Sequence, residues 1–339
     1  MTHRFPVKEI ARQAGVGPAT VDRVLHARAN VSPQTRARVL AAIAELEGQE
    51  AQLAARGRRL FIDVVVEAPR RFSAEVKRAS EAVLPGIGVA VIRPRFLFQE
   101  VMEEAELLVT LDRIARRGSH GVCLKARDLP GVRAAVDRLV AAGIPVVTLV
   151  TDLPGTARLG YLGLDNRGAG RAAGYLMARM LPGPAGRVLT TRSQESFFGE
   201  DERALGFAEV IGRDAPGLEV LDASGGGGVG RGTAERVEAV LDGVTDLAGV
   251  YSMGGGNETI LRVLEERGCR PRVFIAHDLD AENRRLLAEG RVSLVLNHDL
   301  RQDMRNVFLT LARFHGLIAA DGAPAMSDVQ IVTPMTIPG

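Results

Sequence analysis

From Leu60 onward, this 339-residue chain repeats one pattern: short apolar runs separated by stretches of amphipathic, helical spacing. Ten such runs can be read, "LFIDVVVEA", "VAVIRPRF", "GVCLKA", "IPVVTLVTD", "YLGLD", "GRVLTTRS", "LEVLDAS", "LAGVYSM", "RVFIAHD" and "SLVLNHD". A strand that is apolar on both faces needs cover on both, and strands separated by helices join in parallel. The alternation therefore predicts an α/β fold. Ten or more strands exceed one comfortable sheet, so the economical arrangement is two doubly wound halves, with ligand contacts at the carboxyl ends of the strands. An apolar content of 46% supplies the cores such halves need.

The first sixty residues read differently. They hold ten Lys/Arg against five Asp/Glu, leaving 33 against 36 for the rest of the chain. That is the charge distribution of a nucleic-acid module joined to a neutral or acidic body. Val7, Ile10, Ala11 and Ala14 recur at helical spacing, and Gly15 supplies the turn. Gly17 before Pro18 reads as a cap and first-turn position. In the helix that follows, Val21, Val24 and Leu25 form a stripe behind Ala19, Asp22, Arg23 and His26. Ser32-Pro33 repeats the signal before a third helix bearing Val39, Ile43 and Leu46. Three short helices with a tight first turn predict a helix-turn-helix, whose second helix, about 18–26, enters the major groove.

The residues that carry a resemblance are Ala11-Ala14-Gly15-Val16, Thr20-Val21-Arg23-Val24 and Val31-Ser32-Thr35-Arg36-Val39. This composite resembles the headpiece of the LacI/GalR family of bacterial transcription regulators. The resemblance implies that Pro18 and Ala19 open the base-reading helix, that Arg23 reaches a guanine, and that Thr20, Thr35 and Arg36 meet phosphates. Pro18 and Ala19 offer only apolar contact, so base hydrogen bonding rests on Arg23 and its neighbours, His26 among them. Asp22 would accept from a cytosine amino group or orient Arg23, and the second is preferred.

The linker, 48–59, lacks the tyrosine-proline-asparagine stretch usual in the family and is a few residues shorter. Leu53 is its candidate minor-groove wedge, the alternative being a leucine packed on the body. Arg56, Arg58 and Arg59 would lie near phosphates in either case.

Over 60–339 the resemblance implies a periplasmic-binding-protein type I-like core of two subdomains. These would comprise about 60–164 with 297–320, and about 165–296 with 321–339, joined by crossovers near 164, 297 and 321. "LGLDNRGAGRAAGYL", "DERALGF", "SMGGGN" and "IAHD" resemble effector-side segments. By position, Arg203 would donate to effector hydroxyls or a carboxylate, Asn257 would donate and accept, and Asp278 would accept. His298 stands where the family has a glutamine-like residue, and Phe72 could stack on a sugar face. Lys125 ends a strand in a chain with three lysines. With Arg203 and Arg192 it would suit an anionic effector, against the alternative of simple exposure at a strand end.

Other classes find less support. "SGGGGVGRG" lacks the fingerprint of a dinucleotide loop and the Gly-Lys-Ser/Thr of a P-loop, so a flexible βα loop is the better reading. The six histidines show no metal-ligand spacing. No G-x-S-x-G elbow is present, and no cofactor or metal is implied. A nucleotide-dependent α/β enzyme is the alternative. A transport solute-binding protein would need a signal peptide, which this chain does not show. Cys123 and Cys269 read as free buried thiols. "VQIVTPMTIPG" shows no leucine heptad. The expectation is therefore a cytoplasmic DNA-binding regulator, not an enzyme, not bound to membrane, and a homodimer. Its partners would be a pseudo-palindromic operator and a sugar, polyol, sugar acid or sugar phosphate.

Overall fold

The computed structural model describes residues 3–55, 58–181, 183, 185–319 and 326–338, excluding the side chains of 48–55. Helix α1 (Val7–Ala14) ends at Gly15, whose φ of 62° is the left-handed conformation that glycine tolerates best. Gly17 precedes Pro18 at the first position of α2 (Pro18–Leu25). The hydroxyl of Ser32 accepts from the backbone N–H of Thr35 at 3.1 Å, capping α3 (Pro33–Ala55). Ile10, Ala14, Val21, Val24, Val39 and Leu46 close the small core between the three helices. α3 runs through most of the segment read as a linker. Its continuation is rich in Ala, Glu, Gln and Leu, strong helix formers that carry it past Gly48.

The body has two lobes. The first is a five-stranded parallel sheet in the order β2-β1-β3-β4-β5. Its strands are β1 (Arg59–Glu67), β2 (Val91–Gln99), β3 (Gly121–Lys125), β4 (Val146–Leu149) and β5 (Gly160–Leu162). Helix α4 (Arg70–Val83) lies on one face, and α5 (Glu104–Arg117) and α6 (Pro130–Ala141) lie on the other. Ile62, Val64 and Val66 face the first layer and Val65 the second, which is why β1 reads as one unbroken apolar run.

After β5 the chain passes to the second lobe through α7 (Asn166–Met180), β6 (Gly186–Thr191), α8 (Phe198–Asp214) and β7 (Leu218–Asp222). It continues through α9 (Gly230–Val240), β8 (Leu247–Ser252), α10 (Asn257–Glu266), β9 (Val273–His277), α11 (Ala281–Ala288) and β10 (Leu294–Asn297). Helix α12 (Leu300–Phe314) then returns to the first lobe, packing Met304, Val307, Phe308 and Leu311 into its core beside α4. Leu164 bridges Ser327 before β11 (Gln330–Val332). The second sheet runs β11-β10-β9-β8-β6-β7, parallel except for β11. That last strand is absent from the ten runs: it has three residues, lies at an edge, and buries only Val332 among them. Both cysteines are free and buried.

Candidate functional site

The carboxyl ends of both sheets face one cleft. From the first lobe come Arg71 and Phe72, in the first turn of α4, with Lys125 at the end of β3 and Thr151 after β4. From the second come Ser193, Glu200 and Arg203, the Met253-Gly254-Gly255 turn after β8, and His277, Asp278 and Asp280 around the end of β9. Together they line a partly open cavity between the two lobes.

Arg203 is buried in this wall. Its Nε donates to Asn166 Oδ1 at 2.7 Å and its Nη1 to the Met253 carbonyl at 2.6 Å, while Nη2 takes no partner among the described residues. Asn166 in turn donates to the Val150 carbonyl at 2.9 Å, so the arginine is held from both lobes. Glu200 accepts from the backbone N–H and hydroxyl of Ser193, both at 2.6 Å. Lys125 donates to the Glu67 carbonyl at 3.0 Å, with its ammonium 4.1 Å from the Phe197 ring centroid. Burial lowers the Lys125 pKa, while Glu200, Glu67 and Asp278 oppose that shift. His277 meets the Tyr251 hydroxyl at 2.8 Å, and burial pulls its pKa well below the usual value, leaving a neutral ring.

Ion pairs join the lobes at two places. Arg71 Nε lies 2.7 Å from Asp280 Oδ2, across the cleft from α4 to the second sheet. The guanidinium occupies the space a side chain at Gly255 would need, and Gly255 itself adopts φ 111°. Burial raises the Asp280 pKa to about 6 against the pull of Arg71. Behind the cleft, His298 stands between Asp303 of α12, at 2.5 Å, and Asp278, at 3.5 Å. Burial alone would lower the His298 pKa; the two carboxylates override it and raise the value to about 9. Burial likewise opposes ionisation of Asp278, but His298 and Arg203 hold its carboxyl well below the usual range.

Of the residues expected at an effector site, Phe72, Lys125, Arg203 and Asp278 line this cavity. His298 lines an adjoining groove with Phe72 and Asp278. Asn257 does not reach the cavity: it is fully buried, donating to Asn283 Oδ1 at 2.6 Å beneath the start of α10. Arg192 is also elsewhere, paired with Asp201 at 2.5 Å and Asp222 at 3.1 Å. The sequence reading missed Arg71, Glu200, His277 and Asp280, although each neighbours a residue it named or quoted at a strand exit or helix start. The "SGGGGVGRG" loop folds onto the rim, where Gly227 lines the cavity and donates its N–H to the Ser193 carbonyl at 2.6 Å.

In the headpiece, Pro18, Ala19, Arg23 and His26 are exposed on or beside α2, while Thr20, Thr35 and Arg36 are half-buried. The preferred role of Asp22 is overturned: its carboxylate lies 3.0 Å from Arg28 and 3.0 Å from His26 instead of orienting Arg23. Adjacent residues on a helix point about 100° apart, whereas positions four apart share a face. Arg56 and the side chain of Leu53 lie outside the described residues. Among the described residues no helix is long and apolar enough to cross a membrane, and no cluster of three metal-ligating side chains occurs.

Residues 7–47 match the model for bacterial regulatory proteins of the lacI family, and residues 104–304 the model for a periplasmic binding protein domain. The HTH-type transcriptional regulator TreR of Salmonella typhimurium is 30% identical over 178 residues, 50% of this chain and 51% of that protein. The chain thus matches about half the length of this curated relative. Among solved structures, GanP, a glucose-galactose binding protein from Geobacillus stearothermophilus, superposes with a TM-score of 0.73 at 18% identity, covering 83% of this chain and 99% of that one. An ABC transporter solute binding protein from Agrobacterium vitis, bound with alpha-D-tagatopyranose, gives 0.72 at 17% identity, covering 82% and 96%.

Proposed function

Because the chain belongs to the periplasmic binding protein domain family and joins to that domain a headpiece of the lacI family of bacterial regulatory proteins, we propose that it is an operator-binding transcription regulator. In this reading it is a cytoplasmic repressor of a carbohydrate or polyol catabolic operon, acting as a homodimer on a pseudo-palindromic site, with no catalytic activity. A small molecule that binds one state of the cleft better than another shifts the protein towards that state, and linkage carries the change to the DNA-bound headpieces.

The chemistry of the cleft favours a neutral polyhydroxylated effector over a sugar acid or sugar phosphate. Its three cations are already engaged: Arg71 with Asp280, Lys125 with the Glu67 carbonyl and the Phe197 ring, Arg203 with Asn166 and Met253. Against them stand Glu200, Asp278 and Asp280, which repel an anion and accept from hydroxyls. The carrying observation is Arg203, anchored through two of its nitrogens with the third left to donate. The sugar ligands named for the two solved neighbours agree with a hydroxyl-rich ligand.

A thermal-shift screen tests the assignment. At 100 times its Kd a ligand stabilises by about 2.7 kcal/mol, so a neutral sugar or polyol should raise Tm while phosphorylated sugars do not. Shifts confined to phosphates would reverse the charge argument. On the DNA side, Arg23→Ala should cost about 1–3 kcal/mol and relax preference at one base pair per half-site in a binding-selection assay. Equal weakening on every sequence would make Arg23 a phosphate contact.

A further inference from the structure

Although the body from residue 61 onward is slightly acidic, one end of it is strongly basic. β1 and β2 run in parallel register with Arg59 beside Val91, Phe61 beside Arg93 and Asp63 beside Arg95, so these residues share one face of the pleat. Leu60, Ile62 and Ile92 turn the other way, into the core. Helix α5 covers the upper part of the shared face through Leu107, Leu111 and Ile114, and it stops at Arg117. Below it Phe61 is 39% exposed and Val91 43% exposed. Around them stand Arg58, Arg59, Arg93, Arg95 and Arg117. Arg95 stacks on the Phe61 ring at 5.1 Å, and Arg117 reaches Asp63 at 2.5 Å. Asp63, the carboxylate held within the group, is itself buried. Arg58, Arg59 and Arg93 are exposed, with no side-chain hydrogen bond or ion pair among the described residues.

This is the amino end of the sheet, opposite the cleft, and the headpiece is tethered to it. α3 ends at Ala55 and β1 begins at Arg59, a separation that extended chain can stretch to at most about 14 Å. Arginine forks without carboxylate partners match phosphate oxygens in charge and geometry.

We infer that this patch is a second DNA contact, gripping the phosphate backbone of the same duplex that the headpiece holds and adding affinity without reading sequence. The inference rests on the DNA-binding reading above. Each phosphate neutralised releases counterions and steepens the dependence of binding on salt.

The test uses the full chain and a fluorescein-labelled, mixed-sequence DNA duplex, followed by anisotropy over a salt series. Removing two contacts in Arg58→Ala/Arg93→Ala should make the slope of log K against log salt shallower by about 1.8 per chain, while Arg58→Lys/Arg93→Lys retains it. A wild-type slope in the alanine variant, with unchanged melting, overturns the inference. So does a wild-type slope accompanied by a changed mass in light scattering, which would make the patch a contact between copies of the chain. If the unmodified protein itself shows no salt-dependent binding, the DNA-binding reading fails first, and the patch falls with it.

Discussion

Arg203 shows how one side chain can serve the fold and the cleft together. Two of its nitrogens satisfy Asn166 and the Met253 carbonyl inside the wall, and the third takes no partner among the described residues. Losing one partner of a buried charged hydrogen bond typically costs about 2–5 kcal/mol, so Arg203→Ala should nearly abolish effector binding by calorimetry. Arg203→Lys should fail similarly, since a point charge cannot reproduce the fork. Wild-type affinity in either variant would place the site elsewhere. Arg203 was legible in "DERALGF", whereas Arg71 was not, although it adjoins Phe72 in "EAPRRF". Nothing local marks which of two adjacent arginines turns towards a partner on another lobe.

At the scale of elements, the position of Arg203 depends on how closely α7 and α8 approach. A Cβ at Gly170 would collide with the Arg203 carbonyl, one at Gly206 with the Arg167 carbonyl, and one at Gly174 would lie 2.9 Å from Val210 Cβ. Backbone thus meets backbone at this crossing. Gly170→Ala should destabilise by about 1–3 kcal/mol in urea titration and weaken effector binding by displacing Arg203. Gly212, in the same α8, has nothing within 4 Å of the position a Cβ would take. Gly212→Ala should therefore stabilise by about 0.5–1 kcal/mol, through helix propensity alone. Two Gly→Ala changes of opposite sign would show that the crossing, and not glycine content, sets the effect.

Across the whole molecule, polar groups converge where the chain changes lobes. His298 links Asp278 of the second lobe to Asp303 of α12, and Ser327 donates to the same Asp303. In the fold the His298 pKa is raised from 6.5 to about 9. Its contribution to stability is therefore fully present below about pH 6.5 and is lost as pH rises through about 9. The difference in Tm between wild type and His298→Gln should shrink across that window; a constant difference would mean that the imidazole is neutral throughout. The Arg71–Asp280 pair also ties the lobes together. Arg71→Ala should enlarge the radius of gyration of the ligand-free protein in small-angle scattering, and an unchanged radius would show that closure is held by other contacts.

Local chemistry determined a great deal. Gly15, Gly17-Pro18 and Ser32-Pro33 mark the helix ends of the headpiece because turn and cap preferences act within a few residues. The ten apolar runs mark ten strands, most plainly β3, β4 and β9, which are buried on both faces, while β7 at a sheet edge leaves Glu219, Val220 and Asp222 exposed. Lys125 and Asp278 were legible as strand exits, which open onto the cleft, whereas Arg203, inside α8, was named only through the likeness of "DERALGF" to a family segment. Tertiary structure alone decided which side chains turn to one another. It put Asn257 beneath α10, gave Arg192 to Asp201 and Asp222, turned Asp22 towards Arg28, and brought Arg71 over Gly255 to Asp280. It also added β11, whose three residues gain their pairing only from the edge of β10, across the return of α12 to the first lobe. Spacing along a chain encodes periodicity and turn chemistry; partnerships across a cleft depend on the closing of two lobes that no local pattern records.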